Sequence, residues 1–533
     1  MSNFDIVIKN GLIIDGSNSP GYVADIGINQ NIITAIGQIP DENSKETINA
    51  VGLAVTPGFI DIHTHSDFSL LVNPAAESQV HQGVTSEIMG NCGFSGAPVS
   101  NPEEMSKSTF GYHPSVDITW RTMEEYLEVL SSHEPGVNTM NFVGHGALRQ
   151  MVVGTKSQRP NPDELKQMLK ILEQCLDQGA MGLSTGLEYW PGSDASYEEL
   201  STICEVLKKY DAFHAVHMRN RDMLFEYALA EVLSLARKTG VKTQIAHIQP
   251  KYGVPSKGME HALKMIDWAR EDACEVSIDI IPNEWGHTII SSCLPQWAFD
   301  GGVNKLLARL KDKDTREKLK KNPNCIWQLI PDGKWDRLMI LKSDNNPQYQ
   351  GKTLAEIGRL RDQDPYDSVL DILLEEGENL GRAMWAAYNF KNDDLALCLK
   401  KEYCMVMSDT MALAPYGKLK NTIASISGYG WTARFLEEYV IKQKIMPLED
   451  GIHRLTGLPA VIFNIPKRGF IKPSYFADIN IIDIANIKDK STMTNLAQYP
   501  TGFDYVMVNG KFQMVQGKRL PVNNGQVLKR NIS

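Results

Sequence analysis

The chain has 533 residues, 42% of them hydrophobic, and a formal net charge of -10. That length supplies either one large core with additions or two to three domains, and mild acidity without a basic stretch argues against nucleic-acid partners. No apolar run is long enough to span a membrane, and the opening "MSNFDIVIKNGLIIDG" lacks the basic start and apolar core of a signal peptide. The eight cysteines follow no framework spacing. Cys175 and Cys204 fall inside apolar helical patterns, as buried thiols do. A cytoplasmic enzyme is the expectation, with its oligomeric state left open.

Residues 1–55 read as short strands broken by turns, in "DIVIKNGLIID", "DIGINQN" and "IITAIGQI". Residues 461–533 have the same character, with an Asn-Gly turn in "GFDYVMVNGKFQMVQGKRL". The two ends are expected to meet as one small β domain. Between them, over 56–460, helix and strand patterns alternate. Asn161, Pro162 and Glu164 resemble a capped helix start, and Leu165, Met168, Leu169, Leu172 and Leu176 recur at helical spacing before Gly179. "AMGLST" then reads as a strand. Leu229, Leu233 and Ala236 form the next helical face, Gly240 ends it, and "VKTQIAHI" follows as a strand. Such alternation predicts α/β architecture with a parallel sheet, most simply a (β/α)8 TIM-like barrel. A doubly wound open sheet is second, because no Gly-rich dinucleotide loop follows any strand. Residues 286–380 break the rhythm and are expected to form a lid insertion. They include "KLLARLKDKDTREKLKKNPN", read as one charged amphipathic helix.

The chemistry begins at "GFIDIHTHSD", residues 58–67. His63 and His65 are two apart, so on a strand they share a face and can reach one metal. Alone, such a pair reads more readily as the solvated end of a strand. It has company, however. Cys92 follows "GVTSEIMGN", His217 follows "DAFHAV", His247 follows "VKTQIA" and Asp409 follows "EYCMVMS". Each ends an apolar run, and in a barrel those ends gather on one face. His214 is out of phase with His217 and is expected in packing. Asp67 is expected beside the ligands rather than among them.

"TPGFIDIHTHSD", "GVTSEIMGNCGFSGAPV", "NFVGHGALR", "GAMGLSTGLEYWPG", "IAHI", "SDTMALAPYG" and "SYFADINIID" resemble, in order and approximate spacing, the D-aminoacylases of the amidohydrolase superfamily. The resemblance implies that Cys92, His217 and His247 hold a tight zinc ion. It places His63, His65 and Asp409 around an adjacent site for a second, weaker metal, with Cys92 able to bridge. Asp409 would move the proton, and Tyr189 would assist at the carbonyl. A small-molecule amide is the expected partner, with a cyclic amide as the alternative substrate and an inactive binding protein as the remote one.

The chain departs from that family where the substrate carboxylate is held. Gln249 stands in place of a lysine, Ile281-Pro282-Asn283 in place of Tyr-Pro-Tyr, His287 at a serine position, and Ser425-Ile426-Ser427 in place of His-Pro-Arg. Burying a carboxylate without a cation is costly. The substitutions predict a larger or neutral amide, with Arg219, Gln249, Asn283, His287, Trp190 and Trp285 around it. The competing reading is that Arg219, Lys251, Lys418 or His287 grips a carboxylate from another direction.

Overall fold

The computed structural model describes residues 4–40, 44–156, 158–420 and 425–530. Strands from both ends of the chain share one sheet. Its order is Lys518–Arg519, Lys511–Val515, Phe503–Val508, Ile479–Ile482, Ala54–Pro57, Phe4–Ile13, Tyr22–Asn29 and Ile32–Gly37, with Ser44–Asn49 parallel to Phe4–Ile13. The Asn-Gly turn sits at Asn509-Gly510, both with positive φ, where a tight hairpin needs such residues. Alternating isoleucines (Ile8, Ile13, Ile26, Ile28, Ile479 and Ile481) bury one face of this sheet.

Eight short parallel strands form the second layer. They are Phe59–Asp61, Val84–Met89, Asn138–Asn141 continuing as Val143–Gly144, Gly182–Gly186, Phe213–His217, Lys242–Ile245, Val276–Ile280 and Cys404–Val406. Thr64 and Thr410 bridge in parallel and His65 N donates to Thr410 O, so the first and last strands meet and the barrel closes. The interior is packed rather than hollow: Ile60, Ile88, Met140, Phe142, Phe213 and Met405 fill it, and Phe463 plugs one end. The helices outside carry the signals read from sequence. Pro162–Asp177 starts in a capping box between Asn161 and Glu164, and Phe225–Thr239 stops at Gly240, φ 67°.

Three boundaries move. Ala54–Pro57 pairs with Ile479–Ile482 in the terminal sheet, so that layer extends to Pro57 rather than 55. At the other end, Ala460, Phe463 and Ile465 pack into the barrel core, which carries the barrel side past 460. The insertion is built on an antiparallel sheet of Trp285–Ile289, Met384–Tyr388 and Leu338–Lys342, in that order. Ending it at 380 would remove its central strand. It also has a core of its own, in which Trp327 and Trp385 meet edge to face at 5.0 Å. The charged segment expected as one helix is two, Val303–Lys311 and Lys313–Lys321. Asp312 is extended and caps the second, accepting from Thr315 N.

Candidate metal centre

Barrel strands end where backbone polar groups must find new partners, and here those ends are built from unusual conformations. Cys92, His247 and Asp409 all have positive φ, at 52°, 34° and 52°. Left-handed backbone costs a non-glycine residue roughly 1 kcal/mol or more and persists only where its surroundings impose it. Three such residues close together mark a site held under constraint.

The Asn91-Cys92-Gly93 turn shows what imposes it. Asn91 Nδ2 donates to Ile88 O at 3.0 Å, and Gly93 N donates to Ser184 Oγ at 3.0 Å. Asp67 accepts from Gly90 N and Gly96 N, on either side of the turn. Its carboxylate thus clamps the loop carrying Cys92. Gly186 lies directly against this turn: a Cβ there would stand 1.9 Å from Cys92 O.

Cys92 Sγ is the hub. It lies 3.1 Å from His63 Nε2, 3.3 Å from His247 Nε2 and 3.4 Å from His217 Nδ1. Asp409 Oδ1 lies 3.2 Å from His63 Nε2 and 3.3 Å from His65 Nε2. Two ligand-type groups result, His63-His65-Cys92-Asp409 and Cys92-His217-His247, with Cys92 in both. All six residues singled out in the sequence therefore meet at one mouth of the barrel.

The donor set suits a borderline-soft metal. Burial pushes the Cys92 thiol up, but His63, His247 and His217 overcome it and hold it well below its ordinary range, as a thiolate. Burial, with Arg221 and His217, pushes His247 down to about 3, leaving its lone pair available. His217 gives Nε2 to Glu188 Oε2 at 2.9 Å, which turns Nδ1 towards the thiolate. Sulfur and nitrogen ligands on one tetrahedral zinc stand roughly 3.5 Å apart. The observed separations fall close to that.

Behind these residues lies a layer in which Glu188 and Asp279 were not named from the sequence, and Lys251 only in another role. Glu188 also takes two hydrogen bonds from Lys251 Nζ, at 2.8 and 2.9 Å. Burial raises this carboxyl, and Lys251, His217 and Arg221 more than reverse it, keeping it well below the carboxylate range. Asp279 accepts from His247 N and Gln244 Nε2 and faces His63 Nδ1 at 4.0 Å. A charged residue inside "VSIDII" was the available signal for Asp279. Glu188 gave a weaker one, sitting between Leu187 and Tyr189 just past a strand end. Glu188→Gln should weaken metal affinity by about 10–100-fold, as removal of such orienting partners does, and isothermal titration with zinc measures it. Unchanged affinity would remove Glu188 from this role.

The remaining candidates divide. Tyr189 lines the cavity over the cluster with its hydroxyl 3.0 Å from Thr288 Oγ1, and His287 lines the same cavity beside Ser425 Oγ. Phe94, Phe110, Thr288 and Ile289 are further walls of it. Trp190 lines the adjoining cavity. Arg219 points elsewhere. The chain has left the strand by that residue, so alternation no longer sets direction, and its guanidinium is taken up by Glu231 and by Ser193 O and Ala195 O. Gln249 is fully buried with both amide atoms on the Ile281 backbone, so it joins two strand ends rather than meeting substrate. Asn283 caps the turn into the insertion by accepting from Trp285 N. Trp285 packs on Tyr388 at 5.3 Å, in an apolar cluster with Met411 and Leu413, and is not a wall of the cavity over the metal cluster. Lys251 is buried on Glu188 and the Trp327 ring, so it is no carboxylate clamp either. His145 is committed to Glu199 and His214 to packing beside Thr185 and Cys204.

The chain is similar to known proteins along nearly its whole length. A sequence profile of the amidohydrolase family matches residues 46–273. The N-acyl-D-glutamate deacylase of Alcaligenes xylosoxydans xylosoxydans is 29% identical, with 99% of this chain and 97% of that protein covered. The D-aminoacylase of the same organism is 28% identical over 95% of this chain and 94% of its own. Among solved structures, N-acyl-D-glutamate deacylase from Bordetella bronchiseptica, complexed with zinc and a phosphonate mimic of the tetrahedral intermediate, superposes with a TM-score of 0.84. It is 27% identical, with 99% and 100% of the two chains covered.

Proposed function

The chain belongs to the D-aminoacylase family of the amidohydrolases, and on that premise we propose that it is a zinc-dependent hydrolase cleaving the amide bond of an N-acylated amine or amino-acid-like substrate. The observation that carries this reading is the convergence of six ligand-type side chains on one barrel mouth, with Cys92 common to both groups. Cys92, His217 and His247 would hold the tight zinc, and His63, His65 and Asp409 would border a weaker second position. When bound, the zinc supplies a Lewis acid for the scissile carbonyl and acidifies water.

The chain's own residues do the rest. Burial alone would raise Asp409, but His63 and His65 hold it well below the carboxylate range. It is therefore ionised and able to take a proton from the attacking water and deliver it to the leaving nitrogen. Burial, reinforced by Cys92 and Glu188, keeps the Tyr189 phenol protonated. Its O–H can donate to the carbonyl oxygen as charge develops there. Phe94 and Phe110 limit water at the cluster.

Among the described residues no helix is long and apolar enough to cross a membrane. The acidic net charge supports a small-molecule partner rather than nucleic acid, and a cytoplasmic location is part of the same proposal. The test is incubation of zinc-loaded protein with a mixed set of N-acyl amines and cyclic amides, read by mass spectrometry. Linear amides should be cleaved, and a chelator should stop the reaction. Cleavage of cyclic amides alone would replace the linear-amide reading.

A further inference from the structure

We propose that the site takes a neutral amide carrying an extended apolar chain, housed in a channel between the barrel and the insertion. This rests on the amide-hydrolase reading above and adds the substrate class. The cavity over the metal cluster shares Phe94, Tyr189 and Ile289 with a neighbouring cavity. Leu294, Phe299 and Val303 from the insertion and Trp190 from the barrel wall it, and the Trp190 and Phe299 rings lie nearly parallel, 13° apart. Trp190, Gly302 and Val303 in turn border a third cavity, reaching Val99, Met105 and Met151. The three cavities are adjacent across shared residues, and in this proposal they join as one path leading away from the metal cluster.

Charge sets the class of occupant. The cations near this path are committed: Lys251 to Glu188, Arg219 to Glu231, and Lys107 to Glu103 and Glu378. A carboxylate on the substrate would be desolvated against mostly apolar walls, whose polar members include the neutral Ser291, Ser292, Gln296 and Asn324 and the anionic Glu188. An alkyl chain there instead gains with every methylene buried. The chain can enter on the acyl side or on the amine side, and the experiment separates the two.

Hydrolysis is measured for N-acetyl- against N-octanoyl-glycinamide, for N-methyl- against N-octylacetamide, and for N-acetyl-D-methionine and N-acetyl-D-glutamate. In at least one neutral pair, the octyl member should have kcat/KM about tenfold or more above its short partner. It should also exceed both D-amino-acid substrates. Val303→Trp and Leu294→Trp, which fill the channel, should each erase that ratio, with circular dichroism verifying the fold. Chain length without effect in both pairs, or a D-amino-acid substrate preferred to every neutral amide, would overturn the proposal. Calorimetry of octanamide against acetamide reads the channel without turnover. Octanamide should bind and lose binding in both filled variants; failure of octanamide to bind overturns the channel. If octanamide binds but no amide is hydrolysed, the catalytic reading falls and the channel stands.

Discussion

Asp409→Asn should abolish turnover, lowering kcat by about 10³–10⁴-fold, at the upper end of what a positioned proton carrier contributes. The substitution is nearly isosteric. Residue 409 has φ 52°, a conformation asparagine tolerates better than most residues, so the strand end should keep its shape. The neutral amide cannot take a proton from water. The tight metal should remain, because Cys92, His217 and His247 are untouched. KM should change little, which separates loss of proton transfer from loss of binding. Asp409→Ala should be worse on stability, by roughly 1 kcal/mol of added backbone strain. A variant retaining a tenth or more of wild-type kcat would remove Asp409 as the proton carrier.

Cys92→Ala should remove metal and activity together. Its sulfur is the atom shared by both ligand groups and the strongest donor between His63, His217 and His247. Taking it away leaves imidazoles held by Glu188 and by the surrounding backbone but no thiolate to balance the ion. Metal affinity should fall beyond the loss of about 10–100-fold typical of an orienting neighbour. Cys92→Ser keeps the shape of the turn and should fare little better, since a neutral hydroxyl is a poor zinc ligand. Elemental analysis and activity on the same sample measure both effects. Full metal with full activity in Cys92→Ala would show that the thiolate is not a ligand.

The barrel was legible from the alternation of helical patterns with short strand-like segments, those bearing the site ending in His63, His65, Cys92, His217, His247 or Asp409; strands such as Asn138–Asn141, with one apolar residue, carried little signal of their own. The terminal sheet was legible from its turns. Its boundary at Pro57 was not, since "AVTPGFID" is one apolar run that leaves one sheet at Pro57 and enters another at Phe59. The insertion's central strand, Met384–Tyr388, was missed because its partners are distant in sequence and supply no local period. Arg219 and Gln249 misled for a related reason. Arg219 was read by carrying the alternation from His217 past the strand end, where it turns to Glu231, and Gln249 by the lysine position it fills in the resembling family, where it bonds the next strand's backbone instead. Glu188 and Lys251 lie 63 positions apart, and only the fold reveals them as a pair. The strained backbone at Cys92, His247 and Asp409 has no sequence signature, because none of the three is glycine.

The central claim is that amide hydrolysis depends on a metal held by this cluster. The most direct measurement strips the protein with a chelator, returns zinc in steps, and follows hydrolysis of the best amide from the substrate set. Activity should be absent at the start, rise with added zinc and break at about one equivalent, the occupancy of the Cys92-His217-His247 position. Undiminished hydrolysis by protein holding less than about a tenth of an equivalent of any transition metal would contradict the account.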